Sequence, residues 1–266
     1  MPEAQEKQAP PILCTEDRAV CHIQLNRPRA GNSLSVDLVA ALREKLKELE
    51  PREDIKLIVL SGAGGRIFSA GHDLNEFHGT PDPDFLERDF SGITALMQAI
   101  MAQPQIVIAK VEGVATAAGC ELVAACDIAL ASTVARFAVP GVNIGFWCHT
   151  PQVALSRIVG RKQAMMMLAT GQLFSANHAL TIGLVNALYE PDELDGAVDE
   201  LIATITSKAA SVLRRGKRSF QRQLALPVPE AYAFAKEEAL ANIVHPDARE
   251  GIAAFIEKRS PRWSDS

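Results

Sequence analysis

The chain has 266 residues, 48% hydrophobic and 22% charged, with 32 Asp and Glu against 27 Lys and Arg and a formal net charge of −5. A chain of this length buries roughly 70 to 75% of its unfolded surface, so one α/β-sized core needs no disulfide or metal to hold it. The acidic balance offers no basic field to a phosphate backbone, and no run of about 20 apolar residues exists to span a bilayer, so neither nucleic acid nor a membrane is expected as a partner.

Residues 1–11 are polar and proline-bearing and read as a loose leader, without the apolar stretch of a signal peptide or the arginine-rich pattern of a transit peptide. Five cysteines, at 14, 21, 120, 126 and 148, form no Cys-x-x-Cys pair, which suits a reducing compartment and a cytoplasmic location. Strands are expected at Ala19 to Leu25 and Ile55 to Leu60, flanking a helix at Val36 to Leu49 whose Val36, Val39, Leu42, Leu46 and Leu49 recur at helical spacing. Pro51 marks its end. A second helix is expected from about Phe85 to Met101, then strands at Ile106 to Val111 and Ile128 to Leu130. Strands alternating with helices imply right-handed crossovers and an α/β core over residues 12–200. Beyond Glu193 the pattern turns helical, at Leu194 to Ser207, Ser211 to Leu224, Glu230 to Val244 and Ala248 to Lys258. Residues 201–266 therefore read as a helical region whose apolar faces need the core or another subunit to lie against.

Two stretches repeat one local grammar. Ile55 to Leu60 leads through Ser61-Gly62-Ala63-Gly64-Gly65 to Ser69-Ala70-Gly71-His72-Asp73-Leu74, and Ile106 to Val111 leads through Glu112-Gly113-Val114 to Ala117-Ala118-Gly119-Cys120-Glu121-Leu122. Each is a strand, a glycine-rich turn, then small residues, an acid and a leucine that read as a helix opening. Small side chains there leave backbone N–H groups uncovered, and two such junctions side by side supply two donors to one oxygen. The Gly-Lys-Ser/Thr ending of a P-loop is absent, as are the dinucleotide-binding pattern and a Gly-x-Ser-x-Gly around Ser69. His72 and Glu76 stand one helical turn apart, but the donor turn accounts for that stretch and no metal site is expected.

With these strings, together with Asn26-Arg27-Pro28-Arg29-Ala30-Gly31-Asn32-Ser33-Leu34 and Glu250 to Arg259, the chain resembles the crotonase superfamily, the enoyl-CoA hydratase/isomerase family. The resemblance covers nearly the whole chain. It implies an α/β spiral of β-β-α units with a helical C-terminal region, acyl-CoA thioester substrates, no cofactor beyond the CoA of the substrate, and a homo-oligomer built as a trimer or dimer of trimers. Carried over residue by residue, the oxyanion donors fall on the N–H groups of His72 and Ala118, where a preorganised donor is typically worth roughly 3 to 4 kcal/mol. Glu121 falls on one of the two hydratase glutamates, and its place near a helix start favours the ionised form. Ala70, His72 and Leu74 fall beside the substrate, and Arg29, Phe255 and Lys258 on the CoA-binding positions.

The resemblance fails at one position. The second hydratase glutamate belongs to a Phe-x-x-Pro-Glu string, and here Phe137-Ala138-Val139-Pro140 is followed by Gly141. Hydration of a 2-enoyl-CoA with Glu121 managing proton and water is the leading expectation. Isomerisation, decarboxylation and a non-catalytic acyl-CoA-binding role stand as alternatives. His149, in the differing loop Gly145 to Pro151, is a candidate substitute acid or base because its unperturbed pKa lies near neutrality.

Overall fold

The computed structural model describes residues 9–79 and 82–264, so residues 1–8 of the expected leader lie outside the described residues. The elements in chain order are β1 (Ile12–Asp17), β2 (Val20–Leu25), α1 (Val36–Leu49), β3 (Leu57–Gly62), β4 (Ile67–Ser69), α2 (Pro83–Ala102), β5 (Ile106–Val111), β6 (Val114–Thr116), α3 (Ala118–Ala125), β7 (Ile128–Ser132), β8 (Arg136–Ala138) and α4 (Pro151–Ile158). They continue with α5 (Arg161–Thr170), β9 (Phe174–Ser175), α6 (Ala176–Thr181), β10 (Ala187–Tyr189), α7 (Leu194–Thr206), α8 (Ala210–Gln223), α9 (Val228–Ile243) and α10 (Pro246–Glu257). Among the described residues no helix is long and apolar enough to cross a membrane.

Three consecutive turns, β3-β4-α2, β5-β6-α3 and β7-β8-α4, each place their first strand in a six-stranded sheet and their second in a four-stranded one. This is the spiral of β-β-α units that the resemblance implies. The large sheet runs β1-β2-β3-β5-β7-β10, parallel except for the β1-β2 hairpin. Its inner strands β3, β5 and β7 are largely apolar because both faces are covered, whereas the edge strand β1 is mostly exposed. On β3, Ile58 and Leu60 join the core under α1 and α2, whereas Leu57 and Val59 face the other way and pack with Leu194 and Val198 of α7. The expected boundary at 200/201 therefore falls inside α7, a helix that seals the sheet.

The small sheet, β4-β6-β8-β9, positions the site. β4 and β6 are parallel neighbours with Ser69 opposite Ala115, so the chain segments leaving them emerge side by side. Only the second string opens an α-helix. After the first, Asp73 caps a short 3-10 turn, Leu74–Phe77, by accepting from the Asn75 N–H at 3.1 Å, and Gly79 at φ +89° turns the chain away before α2 begins.

The tail is tied to the core through buried lysines. Lys217 of α8 donates to Asp127 (2.5 Å) and to the carbonyls of Gln105 (2.9 Å) and Ile100 (3.3 Å). Lys56 donates to the carbonyls of Thr206 and Lys208 that join α7 to α8. α9 buries none of its residues, and Phe220, Leu224, Val228, Tyr232, Leu240 and Phe255 remain exposed.

Candidate active site

The two glycine strings meet. The Thr116 hydroxyl donates to the Ala70 carbonyl at 3.1 Å. A Cβ added at Gly71, which sits at φ +89°, would stand 2.9 Å from the Ala118 nitrogen, and one at Gly119 would stand 2.1 Å from the Ser69 carbonyl oxygen. Glycine is thus demanded by close backbone approach on both sides of the junction. Between them Ala117 adopts φ +50° and ψ −123°, a conformation that strains a residue with a Cβ and that clusters at functional sites. Ala118 is the first residue of α3, so its N–H has no acceptor within the helix. Among the described residues the N–H groups of His72 and Ala118 donate to no backbone acceptor. The early Asn-Arg-Pro string braces this arrangement, since Arg27 pairs with Asp73 (2.7 Å) and the Asn32 amide donates to Ile67 (2.7 Å) and Ala63 (3.0 Å).

Both bare amides belong to residues lining a cavity of about 550 Å³. Ala70, Leu74, Gly141, Cys148 and Thr150 also line it, and Phe77, Leu86, Phe90, Ile144 and Phe146 give it an apolar wall. Sequence reasoning missed this wall, because its residues come from α2 and from two irregular loops. It also missed Asp89, whose Oδ2 lies 2.8 Å from His72 Nδ1. The available signal was an acid at a position of α2 where the spacing of Ile93, Leu96 and Ile100 calls for an apolar residue.

Glu121 sits one helical turn after Ala118, 4% exposed, beside Cys148 and Thr150. Burial pushes its carboxyl up to about 7, the Thr150 side chain opposing in part, and Oε2 is buried without a partner. The expectation that the helix start would keep it ionised is corrected here: desolvation outweighs the terminus. A carboxyl balanced near neutrality can both release and accept a proton at working pH.

Gly141 follows β8 in a 3-10 turn. A Cβ there would lie 2.4 Å from the Phe146 carbonyl oxygen and 2.9 Å from the Cys148 sulfur, so the 145–150 loop occupies the space a side chain at 141 would need. The same loop carries His149 outward. His149 is exposed, meets Phe146 edge-on at 6.0 Å, and is not among the residues lining the cavity, whereas its neighbours Cys148 and Thr150 are. Burial raises the Cys148 thiol, which holds it in the un-ionised form.

Arg29, Phe255 and Lys258 are exposed and line no part of this cavity, Phe255 being 85% exposed near the end of α10. His72 and Glu76 do not converge: the imidazole is engaged by Asp89, and Glu76 accepts from the Val36 N–H at 3.2 Å.

The fold is thus a β-β-α spiral with two bare amides at adjacent strand ends. The profile of the Enoyl-CoA hydratase/isomerase family matches residues 15–266, and the chain belongs to that family, within the crotonase superfamily. It is 42% identical over 243 residues to the rat enoyl-CoA hydratase domain-containing protein 3, mitochondrial, covering 91% of this chain and 81% of that one. It is 32% identical to a short-chain-enoyl-CoA hydratase of Clostridium acetobutylicum, covering 93% and 95% of the two chains. The crystal structure of an enoyl-CoA hydratase from Mycobacterium smegmatis superposes with a TM-score of 0.92 at 43% identity, covering 96% and 99%. Membership supports an acyl-CoA function. The rat, mouse, zebrafish and human relatives are all described as mitochondrial, which overturns the expected cytoplasmic location. Free thiols fit any reducing compartment, so the cysteine pattern did not distinguish between the two.

Proposed function

We propose that the protein hydrates 2-enoyl-CoA to 3-hydroxyacyl-CoA, with the amides of His72 and Ala118 holding the thioester oxygen and Glu121 handling water and proton. The observation that carries this reading is the pairing of two bare donors in one apolar cavity with a buried carboxyl near pKa 7 that stands behind Cys148 and Thr150 of its lining. Addition of water at C3 drives electrons onto the thioester oxygen. Donors fixed before the reaction stabilise that enolate without reorganising. Glu121 takes a proton from the water, and the proton it then carries is delivered to C2, which returns the carboxylate.

Crowding at Gly141 favours a second reading. Moving a double bond from C3–C4 to C2–C3 needs only one base that lifts a proton from C2 and returns it to C4, and Glu121 alone suffices. Following the conjugated enoyl-thioester absorbance distinguishes the two: hydration removes it from crotonyl-CoA, and isomerisation of a 3-enoyl-CoA creates it. A hydration rate equal to that of Glu121→Gln would sink the hydratase reading. Binding of acyl-CoA without turnover in either direction would favour a non-catalytic role.

Among the described residues no lysine or arginine lines the cavity, so the phosphates of CoA require cations from elsewhere. Arg29 at the protein's own surface and Lys258 with Phe255 from a second copy are the proposed source, and the exposed apolar faces of α8, α9 and α10 support association of copies as a trimer or dimer of trimers.

A further inference from the structure

Asp89 has no part in the reaction just described, yet it is 2% exposed on the apolar face of α2. One carboxylate oxygen pairs with His72 Nδ1 at 2.8 Å, and the other is buried with no partner. A buried carboxylate left half satisfied is unfavourable, so the position carries a demand other than packing. The His72 ring is fixed in orientation, with Phe90 at 5.1 Å and Phe77 at 5.7 Å between ring centres. Because a carboxylate only accepts, the proton on Nδ1 faces Asp89, and Nε2 is the ring nitrogen left for a ligand. Among the described residues Nε2 has no hydrogen-bond partner. The cavity residues nearest in sequence, Leu74, Phe77, Leu86 and Phe90, are all apolar, so the imidazole is a single polar point on that wall.

We propose that the His72–Asp89 pair is a recognition point for the acyl group, Nε2 accepting a hydrogen bond from a hydroxyl on the chain, so that a hydroxyacyl-CoA is selected over the plain hydrocarbon chain. This rests on the acyl-CoA reading above. The amide of the same residue faces the thioester oxygen in that reading, so the ring serves the first few carbons of the acyl group. A carboxylate in place of the hydroxyl is disfavoured, because Asp73, Glu76 and Asp89 share that region and its Arg27 is already paired with Asp73. A site that hydrogen-bonds a substrate hydroxyl rejects the analogue lacking it, since the buried acceptor then stays unpaired.

The test is calorimetric binding of three matched four-carbon ligands, butanoyl, 4-hydroxybutanoyl and succinyl, as CoA ketone analogues in which CH2 replaces the sulfur and lactonisation is blocked. The hydroxylated ligand is expected to bind roughly tenfold tighter than the plain one, and the carboxylated one no tighter than the plain one. Asp89→Asn and His72→Phe are expected to bring the hydroxyl preference to within about twofold of unity, and His72→Gln, whose carbonyl also accepts, to restore part of it. Equal binding of the hydroxylated and plain ligands by the wild type overturns the proposal, as does tightest binding of the carboxylated one. Failure of all three to bind removes the acyl-CoA reading itself and this proposal with it.

Discussion

Adding even a methyl group at Gly141 places a Cβ 2.4 Å from the Phe146 carbonyl oxygen and 2.9 Å from the Cys148 sulfur. The oxygen is backbone, in a loop closed by the Phe146 N–H bonding to the Gly141 carbonyl at 3.0 Å, and the sulfur is buried, so neither yields by a side-chain rotation. The loop has to move by about 1 Å before an ordinary contact is reached. Overpacking of this kind typically costs about 1 to 3 kcal/mol, and at about 2 to 4 °C per kcal/mol for a chain of this size Gly141→Ala is expected to lower Tm by about 2 to 12 °C. Gly141→Glu restores the residue of the hydratase string but carries the same clash, so it is expected to lose stability without gaining hydration. Thermal unfolding by circular dichroism and crotonyl-CoA hydration by absorbance read the two effects separately. A Gly141→Glu protein with wild-type Tm and a tenfold or greater gain in hydration would refute the steric reasoning.

Burial raises Glu121 from 4.5 to about 7 in the folded protein, so its favourable contribution to stability is complete below about pH 4.5 and is lost as pH rises through about 7. Glu121→Gln is therefore expected to match the wild type in denaturant stability near pH 4.5 and to exceed it above pH 7 by roughly 3 kcal/mol, while losing hydration by a factor on the order of 10² to 10⁴. A stability gap that shrinks with rising pH would contradict the assignment. Gly71→Ala forces a Cβ against the Ala118 nitrogen at a positive φ, and is expected to abolish turnover at a temperature where circular dichroism still reports a folded chain. Wild-type turnover in that variant would remove the bare amide pair from the mechanism. Lys217→Met leaves Asp127 buried without its cation and is expected to cost about 3 to 5 kcal/mol in denaturant unfolding, with part recovered in Lys217→Met/Asp127→Asn. Additive losses in the double variant would show that the two groups do not act as a pair.

Long periodic elements were legible in the sequence because they carry many repeats of one period: α1, α2 and α7 to α10 lie within a residue or two of their expected limits. β2, β3, β5 and β7 were legible as apolar runs sealed on both faces. β4, β6, β8 and β9 were not, since two or three residues hold no period. The junction at Gly71 and Gly119 could be read because close approach leaves a compositional mark that no other residue type supplies. Asp89 left only an acid out of place on the apolar face of α2, and the burial of Glu121 and the contact between Phe146 and Gly141 left no mark, because each depends on where a distant segment comes to rest.

The last two of these unread features belong together. The 145–150 loop brings the Phe146 carbonyl into the space beside Gly141, and the same loop lays Cys148 and Thr150 next to Glu121. A side chain at 141 would open the loop, and an opened loop would expose Glu121 to water and return its carboxyl toward the ordinary range. The crowding at 141 and the neighbours of Glu121 thus share one loop. An enzyme with two carboxyl groups can assign giving and taking to separate residues, whereas one with a single carboxyl needs a pKa near working pH so that neither direction of transfer is starved. In this chain burial holds the Glu121 carboxyl in that range, at about 7.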